Sequence, residues 1–407
     1  MEASCGYRFH LNPENLYFNA SYGVVPKSVS AFHRDLLVEC EANPYKWFTQ
    51  TYKHKVIEAK RRLAPYLRAS AADVVLVDNS SSAANSVFNS LTFDAKSVII
   101  VLDTAYGLID KLLEKMTTTY DCKIVSVRVN IDDVDQIKSS LADKIEELQQ
   151  TGLVVRLACL DHVSSCPALK LPVCDIARVC KRYGVPTLVD GAHALGQVEI
   201  DMRAFEEAGV CYWFTDTHKW FFSPKGSAVL WVTKSKQSGV LPTIDCAAIC
   251  SKGCTVLQNC CSPSADSLTE FESRFVYLGT KDYTPWISVS AAIDFVEQMG
   301  GYRSLIDRNR ALSLWAQRHM ATALETRTIP EELTASMCNV LLPFVRTQAD
   351  SRKLMAHLME NNTYVVICEH PAGCFWLRLC IQLFVDESMI RSITDKLLEY
   401  QKVYLNP

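Results

Sequence analysis

The sequence lacks a long apolar run, and it lacks an excess of charge of either sign. None of its 407 residues belongs to a span of the ~18 uncharged apolar residues that a membrane helix needs. Residues 1–13 have neither a basic start nor an apolar core, so they do not resemble a secretory signal. The net charge of -3 gives no bulk attraction for nucleic acid or an anionic membrane. These absences favour a cytoplasmic protein that binds a small molecule, with neither nucleic acid nor membrane as a partner.

Internal repeats, low-complexity linkers and paired Cys-x-x-Cys motifs are also missing. There are 17 cysteines, but many stand singly in apolar stretches, where cysteine behaves as a small hydrophobic residue, so we expect reduced thiols. Residues 244–266 form the least regular part of the chain and are predicted to be a loop. That loop contains Cys246, Cys250, Cys254, Cys260 and Cys261. Their spacing does not suit structural zinc, so we predict no metal site, although one of these thiols approaching a substrate remains an alternative.

Residues 70–235 alternate short β-branched apolar runs with amphipathic helical patterns. This alternation predicts an α/β fold with a mostly parallel sheet and helices on both faces. Strand-like runs span 74–77, 97–102, 123–129, 154–160, 186–190, 210–215 and 227–233. Helical patterns between them span 106–120, 134–150 and 173–183.

The pattern changes after about residue 284. Long helices are predicted at 287–299 and 302–324, strands at 337–345, 364–368 and 374–380, and a closing helix from Asp386. This mixture is typical of a smaller α+β domain at the C-terminus.

Two short motifs contain the chemically informative residues. Asp190 lies in Leu188–Ala194 at the end of one predicted strand, and Lys219 follows it by 29 residues, just past the end of the next. Both side chains can reach the crevice where parallel sheets bind ligands. Pyridoxal 5'-phosphate (PLP) chemistry needs such a pair, because a lysine binds the cofactor and a carboxylate keeps its pyridine nitrogen protonated. Taken singly, each residue is explained as well by a helix cap or a solvated surface charge.

The motifs around these residues resemble those of the class V aminotransferase-like family of fold type I PLP enzymes. That family contains cysteine desulfurases, selenocysteine lyases and isopenicillin N epimerase-like proteins. Asp190-Gly191-Ala192-His193-Ala194 is similar to its pyridine-nitrogen motif, and His218-Lys219-Trp220 with Ser223-Pro224-Lys225-Gly226 is similar to the Schiff-base motif of the epimerase-like branch. The resemblance covers nearly the whole chain. It implies PLP as the cofactor, a Schiff base on Lys219, and catalytic roles for Lys219, Asp190 and His193.

The same resemblance implies further contacts to the cofactor. Ser80 and Ser81 open a helix where the family binds the phosphate, and a helix N-terminus suits an anion. His218 would lie near the phosphate, Tyr106 over the ring, and Ser165 in contact with the ring. A serine-rich helix cap and a core tyrosine are the ordinary explanations when these residues are taken alone.

Three other positions suggest where the substrate and a second subunit lie. Arg378 is a lone arginine in an apolar strand, and a buried guanidinium needs an anion: the substrate carboxylate by resemblance, or an internal salt bridge. Asn19 would face the substrate from an N-terminal segment that folds over the site. Thr280 would reach the phosphate of a neighbouring subunit, which implies a homodimer with active sites at the interface. The expected divisions are an N-terminal segment, 1–30, a large PLP-binding domain, 31–284, and a small domain, 285–407.

Two departures from the family bear on the reaction. Asp216 replaces the family's asparagine or serine close to the expected phosphate, where a negative charge weakens cofactor binding unless it is paired. A loop with the desulfurase active-site cysteine is missing before Arg378, and Cys374, four residues before that arginine, is predicted to lie in its strand.

Carbon–sulfur lyase chemistry on a cysteine-type amino acid is therefore the predicted function. The alternatives are an epimerase or aminotransferase of the same family, and a degenerate PLP fold that only binds. The substrate side chain is not determined by the sequence.

Overall fold

The computed structural model describes residues 6–244 and 268–405. Its helices are α1 (Lys27–Ala42), α2 (Pro44–Lys46), α3 (Tyr52–Leu63), α4 (Ser80–Asn89), α5 (Gly107–Tyr120), α6 (Gln136–Gln150), α7 (Val173–Arg182), α8 (Met202–Ala208), α9 (Thr217–Trp220), α10 (Glu270–Val276), α11 (Thr284–Ile287), α12 (Val289–Gln298), α13 (Gly301–Ala323), α14 (Gln348–Glu360) and α15 (Glu387–Leu405). Its strands are β1 (Leu16–Tyr17), β2 (Val74–Val77), β3 (Ser97–Leu102), β4 (Lys123–Val127), β5 (Val154–Asp161), β6 (Thr187–Asp190), β7 (Val210–Asp216), β8 (Ala228–Val232), β9 (Met337–Leu341), β10 (Thr363–Tyr364), β11 (Val366–Glu369) and β12 (Phe375–Cys380). None of the described helices has the length and apolar character to cross a membrane.

Seven strands form the central sheet, in the order β2-β8-β7-β6-β5-β3-β4. The strands from β7 to β4 in this order are parallel to their neighbours, whereas β8 is antiparallel to both β7 and β2. Alternate residues of β3 pack into two separate cores, Val98 and Ile100 on one face and Ile99 and Val101 on the other. Both faces of the sheet are therefore covered, as the continuous apolar runs in the sequence predict.

The helices on this sheet follow from apolar spacing and from capping residues. In α6 the buried residues Ile137, Leu141, Ile145 and Leu148 recur at the spacing of one helix face. The amide of Ser82 donates to the Asn79 side chain at the N-terminus of α4. Such caps fix where a helix begins, and here the start of α4 lies at the carboxyl edge of the sheet.

A second, smaller sheet lies in the C-terminal part of the chain. Strands β11, β12 and β9 are antiparallel, with β12 in the centre. The short strand β1 pairs in parallel with β10. The N-terminal segment thus lies against the C-terminal part of the chain, although the two are distant in sequence.

The predicted fold class is confirmed: a mostly parallel sheet with helices, together with a smaller C-terminal α+β part. The helix expected at 287–299 is found as α12, preceded by the separate short helix α11. One predicted element was wrong in detail, because the strand expected at 364–368 is divided between β10 and β11. Because β10 pairs with β1 and β11 with β12, adjacent residues pair with different partners, which an apolar run alone does not reveal.

The expectation that the thiols are reduced was wrong for one pair. Cys166, in the loop after β5, forms a disulfide with Cys368 of β11, with a Cα–Cα distance of 5.9 Å. Among the described residues the other cysteines are free. The predicted loop cluster from Cys246 to Cys261 lies outside the described residues.

Candidate functional site

Three neighbouring parallel strands end in an aspartate. Asp161 ends β5, Asp190 ends β6 and Asp216 ends β7. The first two are direct partners across the sheet, and Asp190 pairs with Phe214, two residues before Asp216. The carboxyl ends of parallel strands lie at one edge, so the three carboxyl groups border one crevice.

Lys219 enters this crevice from α9, the single helical turn that follows β7. Its Nζ atom is 3.0 Å from Oδ2 of Asp216 and 6.0 Å from the centre of the Tyr106 ring. The Lys219 carbonyl accepts a hydrogen bond of 3.3 Å from Nε2 of Gln382. Tyr106 itself is exposed at the start of α5. The structure therefore brings the predicted lysine, Asp216 and the predicted ring tyrosine together.

Burial controls the protonation of Asp190. Loss of water, with a smaller contribution from the nearby Asp216, raises its pKa to about 6, against the lowering effects of the Ala192 amide and of Lys219. The Ala192 amide donates to Oδ1 at 2.9 Å, which orients the carboxyl group.

Asp161 is a carboxyl group that the sequence analysis missed. Its Oδ2 accepts a hydrogen bond of 2.6 Å from Thr104, and only 5% of the residue is exposed. Burial, and next the charge of Asp190, raise its pKa to about 7. Its position at a strand end beside Asp190 is the signal that could have found it.

His193 is buried and held as a neutral ring. The indole Nε1 of Trp220 donates to Nδ1 of His193 at 3.1 Å. Since an indole can only donate, Nδ1 is the acceptor and the ring hydrogen lies on Nε2. Burial lowers the pKa of His193 well below its usual range, and the charges of Lys219 and Arg378 lower it further. His193 is therefore within electrostatic reach of both predicted cationic residues.

The N-terminus of α4, which contains Ser80 and Ser81, lies next to Asp216. The backbone amide of Ser80 donates to Oδ1 of Asp216 at 2.8 Å. The Oγ atom of Ser80 is buried and has no hydrogen-bond partner in the described part of the chain. The carbonyl of Ser81 accepts from Asn85.

His218 lies beside the carboxylate of Asp216. Its Nδ1 is 2.8 Å from the carbonyl oxygen of Ser227, which can only accept, so Nδ1 carries the hydrogen. Its Nε2 is 4.0 Å from Oδ1 of Asp216. Burial lowers the pKa of His218. The ring is thus placed beside the predicted phosphate corner.

Arg378 lies on the central strand of the small sheet and is 1% exposed. Its Nη1 donates to the carbonyl of Ser165 at 2.7 Å and to Oγ of Ser165 at 3.0 Å, and its Nη2 donates to Oγ of Ser21 at 3.1 Å. Its Nε is buried with no partner, and within the described ranges no carboxylate pairs with it. The alternative of an internal salt bridge finds no support there, and the guanidinium retains capacity for an anion.

Ser165 and Ser21 thus contact the arginine. The structure places Ser165 at Arg378, and it adds Ser21, which the sequence analysis did not single out as a site residue. Asn19 lies two residues before Ser21, and its Oδ1 accepts from the Ser21 amide at 2.8 Å. Asn19 therefore shapes the turn that presents Ser21.

The same N-terminal segment packs against the lysine turn at Gly23. A Cβ atom at Gly23 would lie 1.6 Å from the carbonyl oxygen of His218, and the φ angle of Gly23 is +62°. Only glycine fits such a close approach with this backbone conformation.

Thr280 has no contact with these site residues in the part of the chain that the structure describes. It is exposed, and it follows Gly279, whose φ angle is +88°. The adjacent Lys281 forms an ion pair with Asp78, two residues before Ser80. The turn formed by Gly279 and Thr280 thus lies beside the start of α4, with Thr280 on the surface.

These residues fit PLP on two observations that do not depend on similarity. Ser80 Oγ and Arg378 Nε are buried polar atoms that have no hydrogen-bond partner among the described residues. The amide of Ser80 shares the Asp216 carboxylate with Lys219. A phosphate and a carboxylate would provide the acceptors that these donors lack. The buried carboxyl of Asp190 suits a pyridine nitrogen that must hold a proton.

Comparison with known proteins gives consistent results. Among curated proteins, the chain is 28% identical to L-cysteine desulfhydrase-like protein lolT1 of Epichloe uncinata, over 93% of this chain and 91% of that protein. It is 30% identical to lolT2 of the same organism, over 79% and 70% of the two chains. It is 24% identical to isopenicillin N epimerase of Streptomyces clavuligerus, over 96% of each chain.

Solved structures of low sequence identity share the fold. The cystine C–S lyase C-DES superposes with a TM-score of 0.77 at 18% identity, covering 95% of this chain and 97% of the other. A cysteine desulfurase from Thermococcus onnurineus NA1 gives 0.75 at 18% identity, covering 97% of each chain. The sequence model described as "Aminotransferase class-V" matches residues 16–386. The resemblance is confirmed, and the chain belongs to the class V aminotransferase family.

Proposed function

We propose that this protein is a PLP-dependent carbon–sulfur lyase that acts on a cysteine-type amino acid. The observation that carries the proposal is the placement of Lys219 and Asp190 at one edge of the sheet, where Nζ of Lys219 is 3.0 Å from Asp216, together with the buried Arg378, whose Nε has no partner among the described residues. L-Cysteine desulfhydrases of Arabidopsis thaliana and a hercynylcysteine sulfoxide lyase of Schizosaccharomyces pombe, at 25–28% identity, support the same class of reaction.

The cofactor is pyridoxal 5'-phosphate, and the residues that would hold it follow from the geometry. The amine of Lys219 would bind its aldehyde, and the carboxyl of Asp190 its pyridine nitrogen. We assign the ring faces to Tyr106 and His193. The residues assigned to the rest of the cofactor are Ser80, Ser81, Asp216 and His218 at the phosphate, Ser165 at the ring, and Thr280 toward the phosphate of a second subunit.

The chain's own residues bind and orient the amino acid and move its proton. Arg378 would hold the α-carboxylate with two parallel hydrogen bonds, supported by Ser165 and Ser21. Asn19 would face the substrate through the turn that carries Ser21. When bound, the cofactor supplies an electron sink for the charge that develops at Cα. Lys219 would take the Cα proton, because an amine that reaches the crevice can act as a general base.

Loss of a sulfur leaving group from Cβ completes the reaction. For cysteine the products are sulfide, pyruvate and ammonia, with one water consumed. A persulfide route needs a cysteine near the substrate. Cys374 lies in the turn before β12, and four residues of extended strand separate it from Arg378 by roughly 13 Å. Among the described residues this distance favours elimination over sulfur transfer to Cys374.

We further propose that the active form is a homodimer in the cytoplasm. Exposure of Thr280 and Tyr106 beside the crevice supports a neighbouring subunit there. Nine of the eleven cysteines in the described part of the chain are free, which supports a reducing compartment, whereas the Cys166–Cys368 disulfide opposes it. We keep the division into an N-terminal segment (1–30), a large domain (31–284) and a small domain (285–407).

The test is a product assay on the PLP-loaded protein with L-cysteine and its S-substituted analogues. We expect sulfide or the corresponding thiol, together with equimolar pyruvate and ammonia. Inversion at Cα without sulfur release would instead show an epimerase, and keto acid formed only with an amino acceptor would show an aminotransferase. Absence of a cofactor absorbance band after addition of PLP would contradict every catalytic alternative and favour a protein that only keeps the fold.

A further inference from the structure

The carboxylate of Asp216 occupies the place of an anion at a helix N-terminus. It lies at the end of β7, is 3% exposed, and accepts the backbone N–H of Ser80, the first residue of α4, at 2.8 Å. Its other oxygen is 3.0 Å from Nζ of Lys219. The Asp216 side chain thus accepts a hydrogen bond from a backbone amide that has no partner within its own helix, and it also pairs with the charge of Lys219.

The same corner would otherwise be free for a phosphate. Ser80 Oγ is buried and without a partner in the described part of the chain, so a donor remains available beside the amide that Asp216 occupies. The α4 helix has ten residues and a buried apolar face, which fixes the direction of these donors. A phosphate that used them would lie within a few ångströms of the Asp216 carboxylate.

We propose that Asp216 is an internal anion that competes with the cofactor phosphate for the N-terminus of α4. This inference rests on the proposed PLP site, and it adds that Asp216 sets how much the phosphate contributes to cofactor affinity. Two negative charges at such a separation repel each other in a partly dehydrated site. The chain therefore binds its cofactor mainly through Lys219 and the ring contacts, and it releases PLP more readily than a neutral residue at 216 would allow.

The pairing with Lys219 gives the carboxylate a second effect. In the cofactor-free protein Asp216 neutralises the lysine charge and holds its side chain toward the crevice. Asp216 is thus a positioning residue for Lys219 as well as a competitor for the phosphate. An experiment must separate these two effects, because both change when the charge is removed.

Comparison of PLP with pyridoxal, which lacks only the phosphate ester, makes that separation. Effects through Lys219 change the affinity for both compounds, whereas competition with the phosphate changes the affinity for PLP alone. Dissociation constants are measured by absorbance for the wild-type protein and for Asp216→Asn, which keeps the size and an acceptor oxygen. We expect the ratio of the pyridoxal to the PLP dissociation constant to rise about tenfold or more in the variant.

Two controls test whether a change in the ratio arises from misfolding or from the loss of a negative charge elsewhere in the protein. Asp121→Asn removes a charge at an exposed left-handed position that asparagine adopts readily, and it should leave the ratio unchanged. Asp216→Ser is the second variant, and thermal melting of each protein verifies that it is folded.

Two outcomes would contradict the inference. An unchanged ratio in both folded variants would show that Asp216 acts only through Lys219. A lower ratio would show that the carboxylate assists the phosphate. Failure of the wild-type protein to bind either compound would instead overturn the proposed function.

Discussion

At the scale of single residues, the site is a set of buried carboxyl groups beside cations. Asp190 and Asp161 are neighbours across two strands, and burial raises the pKa of both. The cost of burying a charge is what shifts these equilibria. Burial thus brings the pKa of Asp161 to about 7 and that of Asp190 to about 6, close to neutral pH.

The variant Asp161→Asn tests the raised pKa of Asp161 through its effect on the stability of the fold. The pKa of Asp161 is raised from 3.8 to about 7, so the folded chain keeps a proton that the unfolded chain releases. The stability from that proton is complete below the unfolded pKa and is lost as the pH rises through the folded pKa. Asparagine has no such dependence. The melting temperature of the cofactor-free variant, relative to wild type, should therefore be higher at about pH 8 than at about pH 5.

The exposed Asp121→Asn variant serves as the control, and its relative melting temperature should not change with pH. An equal difference between Asp161→Asn and wild type at both pH values would show that Asp161 keeps an ordinary pKa.

Arg378→Lys tests the assignment of the carboxylate site. Lysine keeps the positive charge but loses the paired donors that contact Ser165 and Ser21. We expect KM for the amino acid to rise about 10- to 100-fold, with a smaller change in kcat. Steady-state kinetics give both values. The exposed Arg203→Lys on α8 is the matched control, and a KM equal to wild type in Arg378→Lys would contradict the assignment.

At the scale of elements, the lysine turn depends on a segment far away in sequence. Residues 18–23 pass along the end of β12, where the amide of Cys380 donates to the carbonyl of Phe18, and they reach α9 at Gly23. Lys225 donates to the Gly23 carbonyl at 3.3 Å. The N-terminal segment therefore joins Arg378 and Lys219 into one site.

Gly23→Ala should disturb this junction, and Gly152→Ala is its matched control. Both glycines have positive φ angles, +62° and +75°, but a Cβ atom meets His218 at Gly23 and nothing within 4 Å at Gly152. Gly152→Ala should cost about 1 kcal/mol through backbone strain alone. Gly23→Ala should cost at least about 2 kcal/mol and also lower activity. Denaturant unfolding and the product assay measure the two effects, and equal losses in both variants would contradict the packing at Gly23.

The elements of the central sheet were predictable from sequence because most of its strands, such as β2, β3 and β8, are apolar and buried along their whole length. The runs at 97–102 and 74–77 match β3 and β2 residue for residue, and the others differ by one or two residues at their ends. The two-residue strands β1 and β10 were not predictable, because they have no periodicity and form only when distant segments meet. Asp190, Lys219 and Arg378 could be singled out because they lie at the ends of predicted strands or within an apolar one. Ser21 lies in no periodic segment and could not be found, whereas the strand end at Asp161 was a usable signal.

At the scale of the whole molecule, one covalent link joins distant parts of the chain. Cys166 and Cys368 are 202 residues apart, and Cys166 follows Ser165, which contacts Arg378. The two cysteines have no shared motif, so their pairing depends on the tertiary fold alone.

Removal of this disulfide should lower stability. Cross-links of this kind typically contribute about 2–5 kcal/mol, mainly by restricting the unfolded chain. Cys166→Ser with Cys368→Ser should therefore melt below the oxidised wild type. A reducing agent should lower the melting temperature of the wild type to that of the double variant and leave the variant unchanged. If the reducing agent lowered the melting temperature of both proteins equally, a bond other than Cys166–Cys368 would be responsible for the effect.

The central claim is that Lys219 is the residue that binds the cofactor. Borohydride reduction of the PLP-loaded protein, followed by peptide mass spectrometry, tests it directly. We predict a pyridoxyl phosphate mass on the peptide that contains Lys219, with loss of that label in Lys219→Ala. A label on another lysine, or none in a protein that shows the cofactor absorbance band, would contradict the account.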